Sequence, residues 1–261
     1  MDLGITGRTY IVTGGSAGIG LGTVSRLVDE GANVVAAARR PRHLEEALLH
    51  ADPSGERTLA VAQDMIEEDA AQRLVDAALG RFGQIDGIVN NVGTSLRGAF
   101  TEVTDEQWLQ DMNLKLFSAI RLIRTAMPQL TVRGIGSVVN VLSIGGKQPD
   151  AGTLPTSATR AAGLALTKAL SKELTADGVR VNAVCIGIIR SEQHDRRRDE
   201  QAPSMTDDEW YAHLAEQHSI PMGRAGVPDE AASTIALLLS DRAGFTSGTA
   251  INIDGGQAAV W

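Results

Sequence analysis

Thr13-Gly14-Gly15-Ser16-Ala17-Gly18-Ile19-Gly20 is the segment of this sequence best suited to bind an anion. Glycine tolerates positive φ and lets backbone N–H groups approach a ligand closely, and a helix opening in the turn adds the field of its N-terminus. The ligand such a turn fits is the pyrophosphate of a dinucleotide, although a tight strand-to-helix turn of this composition also forms without any ligand. At the end of the next strand, an acidic side chain would hydrogen-bond a ribose 2′-hydroxyl and repel a 2′-phosphate. The sequence there reads Ala36-Ala37-Ala38-Arg39-Arg40, with Ala38 where the acid would stand. Guanidinium groups match phosphate in charge and in paired hydrogen-bond geometry, so the expected cofactor is NADP(H).

Groups able to move a proton are few. Only two tyrosines occur: Tyr10 lies in an apolar strand and is expected in the core, and Tyr211 lies in a polar segment from about 190 to 224. His194, His213 and His218 share that segment, and imidazole is the side chain best matched to proton transfer near pH 7. Their spacing is no metal-ligand pattern and only Cys185 is present, so neither a metal site nor a disulfide is expected. Lys147 is read as a solvated loop lysine, with substrate contact as the alternative.

A chain of 261 residues, 43% hydrophobic, is long enough to bury one large core as a single domain. Its net charge of −8, and the acids Asp195 and Asp199 flanking Arg196, Arg197 and Arg198, argue against a nucleic-acid partner. No apolar run approaches the roughly 20 residues of a membrane helix, and Met1-Asp2-Leu3-Gly4 lacks the features of an export signal, so a cytoplasmic protein is expected.

The elements that must position these groups alternate. Strands are predicted at Tyr10–Thr13, Asn33–Ala38, Thr58–Ala62, Gly87–Asn90, Gly136–Leu142, Arg180–Val184 and Ala250–Ile253. Amphipathic helices are predicted at Gly18–Glu30, Glu67–Phe82, Asp105–Met127, Thr156–Thr175 and Pro228–Leu239. This order predicts a doubly wound, Rossmann-like α/β fold with a mainly parallel seven-stranded sheet and helices on both faces. The segment 190–224 is too long for an ordinary connection and reads as a substrate-covering lid.

The glycine turn resembles the TGxxxGIG turn of short-chain dehydrogenases/reductases, and further segments extend the likeness over nearly the whole chain. Asn90-Asn91-Val92-Gly93 is similar to that family's NNAG, Val181-Asn182-Ala183-Val184-Cys185-Ile186-Gly187 to its VNxxxPG with Ile186 in place of proline, and Asp254-Gly255-Gly256 to its DGG. The resemblance implies a cofactor site at Gly14, Ser16, Ala17, Ile19, Arg39, Arg40, Asp64, Met65, Asn91, Gly93, Arg160 and Ile189, and a homotetramer or homodimer. It places Ser143 on the serine that orients a carbonyl oxygen and Asn113 on an asparagine that holds a water.

At the family's YxxxK pair the sequence departs, with Thr156 and Arg160 at those positions. Threonine lacks the acidity of a phenol and arginine does not release protons near neutral pH. The expected function is an NADP(H)-dependent oxidoreductase acting on a small carbonyl or conjugated enone with non-standard proton donation. Cofactor binding without redox turnover, or non-redox chemistry such as dehydration or isomerisation, is the alternative.

Overall fold

The computed structural model describes residues 1–261. Seven parallel strands form one sheet: β1 (Thr9–Thr13), β2 (Asn33–Ala38), β3 (Thr58–Ala62), β4 (Gly87–Asn90), β5 (Gly136–Ser143), β6 (Val179–Ile186) and β7 (Ala250–Ile253), in the order β3-β2-β1-β4-β5-β6-β7. The direction of winding reverses between β1 and β4. In open α/β sheets a crevice forms there, at the carboxyl ends of the strands.

Nine α-helices accompany the sheet: α1 (Gly18–Asp29), α2 (Pro41–Ala51), α3 (Ala70–Phe82), α4 (Asp105–Met112), α5 (Ser118–Val132), α6 (Thr156–Leu174), α7 (Glu192–Gln201), α8 (Asp207–Gln217) and α9 (Pro228–Leu239). Successive side chains of a strand point to opposite faces, and β1 shows the result. Tyr10 and Val12 join a core with Val24 and Leu27 of α1, Leu44 of α2 and Ile235 of α9. Ile11 joins a second core with Leu74 of α3, Leu122 of α5 and Leu174 of α6. The seven-stranded sheet with helices on both faces is therefore the architecture that the apolar runs predict. No helix is long and apolar enough to cross a membrane.

Three segments differ from expectation. The single helix predicted at Asp105–Met127 is α4 and α5 joined by a π-helical turn, Asn113–Phe117. α2 has no counterpart in the sequence prediction: only Leu44 and Leu48 of its residues are buried, too few for a visible stripe. The segment 190–224, expected as a loop-like lid, contains α7 and α8. α7 is so polar that none of its residues is buried, yet Tyr211 ties it down by accepting the Ser191 N–H at 2.9 Å and donating to Asp195 at 2.7 Å. α8 starts with a capping box in which Thr206 and Glu209 satisfy each other's backbone N–H groups.

One buried polar chain sets the depth of α6 against the sheet. Asn90 Nδ2 donates to Asn140 Oδ1 at 2.8 Å, and Asn140 Nδ2 donates to Thr167 Oγ1 at 2.9 Å. The chain joins β4 and β5 to α6, whose first turn carries Thr156 and Arg160. Asn140→Ala strips Asn90 of its buried acceptor, and a buried group left unpaired costs about 1–3 kcal/mol. Urea denaturation is expected to show a loss of at least that size; a variant as stable as the wild type would mean that the chain bears no load.

Candidate active site

A cleft of about 1050 Å³ opens at the carboxyl ends of the strands. Its walls include Gly14, Ser16, Ala17, Ile19, Ala38, Arg39, Arg40, Asp64, Met65, Asn91, Gly93, Arg160 and Ile189, together with Ser143 and Thr156. The structure thus brings together every position that the resemblance implies except Asn113.

The glycine turn is held by Asn91. Its Nδ2 donates to the carbonyl oxygens of Thr13 and Gly14 at 3.0 and 3.2 Å, while the N–H groups of Asn91 and Val92 donate to Thr13 Oγ1 at 3.0 and 3.2 Å. Gly14 has φ +68°, and a Cβ on Gly20 would stand 2.0 Å from the Gly14 oxygen. The N-cap residue of α1 is Ala17, which offers no side-chain acceptor, so no side chain caps the first N–H groups of the helix. A glycine-rich turn with small side chains and open helix amides fits the pyrophosphate of a dinucleotide.

Arg39 lines the cleft, is exposed and makes no ion pair, leaving its guanidinium free for a phosphate. Arg40 instead reaches Glu192 of α7 at 3.1 Å, and His43 Nε2 lies 3.1 Å from the other oxygen of that carboxylate. Gln63, buried on the wall beside Asp64, is an addition that the motifs do not identify.

At the opposite end, Ser143 closes β5 and its hydroxyl makes no hydrogen bond within the protein. Thr156, buried, opens α6. Behind Thr156 stands Lys115, whose ammonium donates both to the Asp111 carboxylate and to Thr156 Oγ1, with only 2% of its side chain exposed. Arg160 donates to the Val141 carbonyl at 2.6 Å, and its guanidinium occupies the space that a Cβ on Gly93 would take, 2.7 Å from Nη2. Burial, and then the positive charge of Arg160, push the Lys115 ammonium down to about 8, against the stabilising bond to Asp111.

Several candidates are corrected. The Asn113 side chain makes no hydrogen bond to Ser143, Thr156 or Arg160 and is absent from the cleft wall; Lys115, in the same π-helical turn and also behind the wall, hydrogen-bonds the wall residue Thr156 instead. Lys147 turns away and donates to the Ala250 carbonyl at 2.7 Å and to Asn252 at 2.6 Å. Tyr10 is core, as expected, and Tyr211 is spent on α7, its phenol raised to about 12 by burial and by the bond to Asp195. His213 is exposed against Trp210. His194 and His218 do line the cleft, but burial and then the charge of Arg197 lower His194 to about 4, so its imidazole is neutral at pH 7 and is no acid there. Asp111 and Lys115 stand four residues apart, the spacing of an ion pair on a helix, and that pairing is the signal in the sequence from which this buried pair could have been found.

The Lys115 ε-amine is expected to titrate near pH 8 in heteronuclear NMR. Arg160→Gln removes a nearby positive charge, so the same amine must then titrate at higher pH. A titration at the ordinary lysine value in the wild type would contradict the arrangement.

A family model described as enoyl-(acyl carrier protein) reductase matches residues 13–258. A dehydrogenase/reductase SDR family member 4 from Caenorhabditis elegans is 30% identical over 97% of this chain and 96% of its own length. The NADPH-bound structure of a short-chain oxidoreductase from Pseudomonas aeruginosa PAO1, described as containing an atypical catalytic center, is similar with TM-score 0.91 and 34% identity, covering 99% of both chains. L-Sorbose reductase from Gluconobacter frateurii, complexed with NADPH and L-sorbose, is similar with TM-score 0.94 and 31% identity, covering 100% of both chains.

Proposed function

Since the chain belongs to the short-chain dehydrogenase/reductase family, we propose that it is an NADP(H)-dependent oxidoreductase that reduces a small carbonyl compound, with Lys115 as the source of the proton and Thr156 as its relay. The observation that carries this reading is the hydrogen bond from Lys115 to Thr156 in the wall of the cleft, beside Ser143. The glycine turn and the first amides of α1 would hold the pyrophosphate, Arg39 the 2′-phosphate, Asp64 and Met65 the adenine, and Arg160 the nicotinamide ribose. NADPH supplies a hydride to the carbonyl carbon when bound.

The protein's own residues handle the oxygen. Ser143 has an uncommitted O–H that can donate to the carbonyl. Thr156 Oγ1 accepts from Lys115, which leaves its own O–H free to donate to the same oxygen. As negative charge develops there, the Thr156 proton moves to the oxygen and the Lys115 proton moves to Thr156. A threonine hydroxyl alone is too weak an acid for this step, but the amine behind it holds its proton below about pH 8 and releases it above. Arg160 keeps the amine's proton affinity low, and Asp111 keeps the ammonium in place.

The sign of the pH dependence follows. The donating form of Lys115 is the ammonium, so kcat/KM for reduction is expected to fall as pH rises through about 8 and the reverse oxidation to rise. Lys115→Met removes that limb and lowers kcat by roughly 10²–10⁴, the usual weight of general acid catalysis. A flat profile that the variant leaves unaltered would sink the assignment. If NADPH binds and no ketone or enone oxidises it above the protein-free rate, cofactor binding without turnover is the better description.

The 2′-phosphate assignment has its own test. Arg39→Ala is expected to weaken NADPH at least tenfold more than NADH in direct binding measurements, whereas equal losses would remove Arg39 from that role. The assembly we propose is the homotetramer that the resemblance implies, with the exposed Leu109 and Phe117 at the α4–α5 junction covered by a neighbouring copy.

A further inference from the structure

Beyond Thr156 the cleft changes character. Arg97, from the segment that follows β4, and Arg197, from α7, both line it, and neither makes an ion pair or a hydrogen bond with another residue. Two buried polar atoms in the same region also lack partners, Ser95 Oγ and His194 Nδ1. A smaller pocket of about 260 Å³ continues outward between Thr94, Ser95, Gln193, Arg196, Arg197 and Glu200, without one apolar side chain. Arg97 pairs with the residues just before Thr156 in a two-stranded ribbon, Arg97–Gly98 against Leu154–Pro155, so it belongs to the reaction end of the cleft and not to the glycine turn.

Arg97 is exposed and Arg197 half-buried, so both guanidinium groups are open to a ligand, while the buried and unpartnered Ser95 Oγ and His194 Nδ1 are costly unless something completes them. The carboxylates nearby do not. Glu192 is engaged by Arg40 and His43, Glu200 lies in the outer pocket beside Arg197, and Asp150 faces His218 from outside the wall. Burial is the main cause that lowers the pKa of Arg197, His194, His218 and Lys115, and the positive charge of Arg97 adds to it at each of them. An anion at this point would relieve all four.

Building on the carbonyl reductase reading above, we propose that the substrate carries an anionic group, a carboxylate or a phosphate ester, away from its reacting carbonyl, and that Arg97 and Arg197 bind it with Ser95 and His194 completing the hydrogen bonds. Guanidinium suits either head group through paired N–H donors, and a neutral imidazole can donate its remaining N–H to an anion without needing a proton from solvent. The site would select substrates by charge at one end while Ser143 and Thr156 act at the other.

Two measurements on the NADPH-loaded protein test this. Calorimetry with the unreactive probes malonate and methyl phosphate is expected to show binding that the double variant Arg97→Gln, Arg197→Gln weakens at least tenfold. Steady-state kinetics would compare 5-oxohexanoate with its methyl ester, and dihydroxyacetone phosphate with dihydroxyacetone. The charged member of one pair is expected to have a kcat/KM at least tenfold higher, the larger ratio identifying the head group, and the ratio should fall towards one in the double variant. Binding of neither probe, equal binding to wild type and double variant, or a double variant that instead loses NADPH would each overturn the anion site. Turnover of neutral ketones with no preference for anions refutes this inference and leaves the redox reading intact. Probe binding without oxidation of NADPH by any compound refutes the redox reading and leaves the anion site.

Discussion

The ammonium of Lys115 is enclosed between one carboxylate and one hydroxyl, with a second cation beside it, and the reaction end of the cleft depends on how that charge is carried. A fully buried lysine with no partner would give up its proton well below neutrality; one paired only with Asp111 would hold it too firmly to be useful. Burial and the Arg160 guanidinium pull the proton affinity down, Asp111 pulls it back, and the balance falls at about 8. Arg160 then has a double part, since the same group that faces the cleft also sets the acidity of an amine it does not touch.

That balance needs three segments in fixed relation, and the fold supplies them by different means. The π-helical turn carries Lys115, the buried Asn90–Asn140–Thr167 chain holds α6, and Gly93 leaves room for the Arg160 guanidinium. None of these is chemistry in itself. Each removes a way for Lys115 and Thr156 to drift apart, which is the condition that the proposed relay requires.

The sheet and its cofactor edge were legible in the amino-acid order because they rest on local rules. Apolar runs such as Asn33–Ala38 and Gly87–Asn90 have the length and composition of fully buried strands, and the spacing of Gly14, Gly18 and Gly20 reflects steric limits that only glycine meets. Lys115 was hidden for the opposite reason. The role proposed for it rests on a contact with Thr156, 41 positions along the chain, and on a helix that departs from the regular period at that point. The helical character of α7 was equally out of reach, because its stability lies in Tyr211 and not in any apolar stripe of its own.

Glu192 joins the two ends of the molecule's cleft. It sits at the start of α7, yet Arg40 and His43, at the edge where the strand β2 ends, both hold its carboxylate, and all three groups are at least a third exposed. Exposed ion pairs weaken as salt shortens the Debye length, about 8 Å at physiological ionic strength. The contact that joins α7 to the edge of β2 therefore weakens as ionic strength rises, whereas the Tyr211 hydrogen bonds at the start of the same helix do not depend on paired charges.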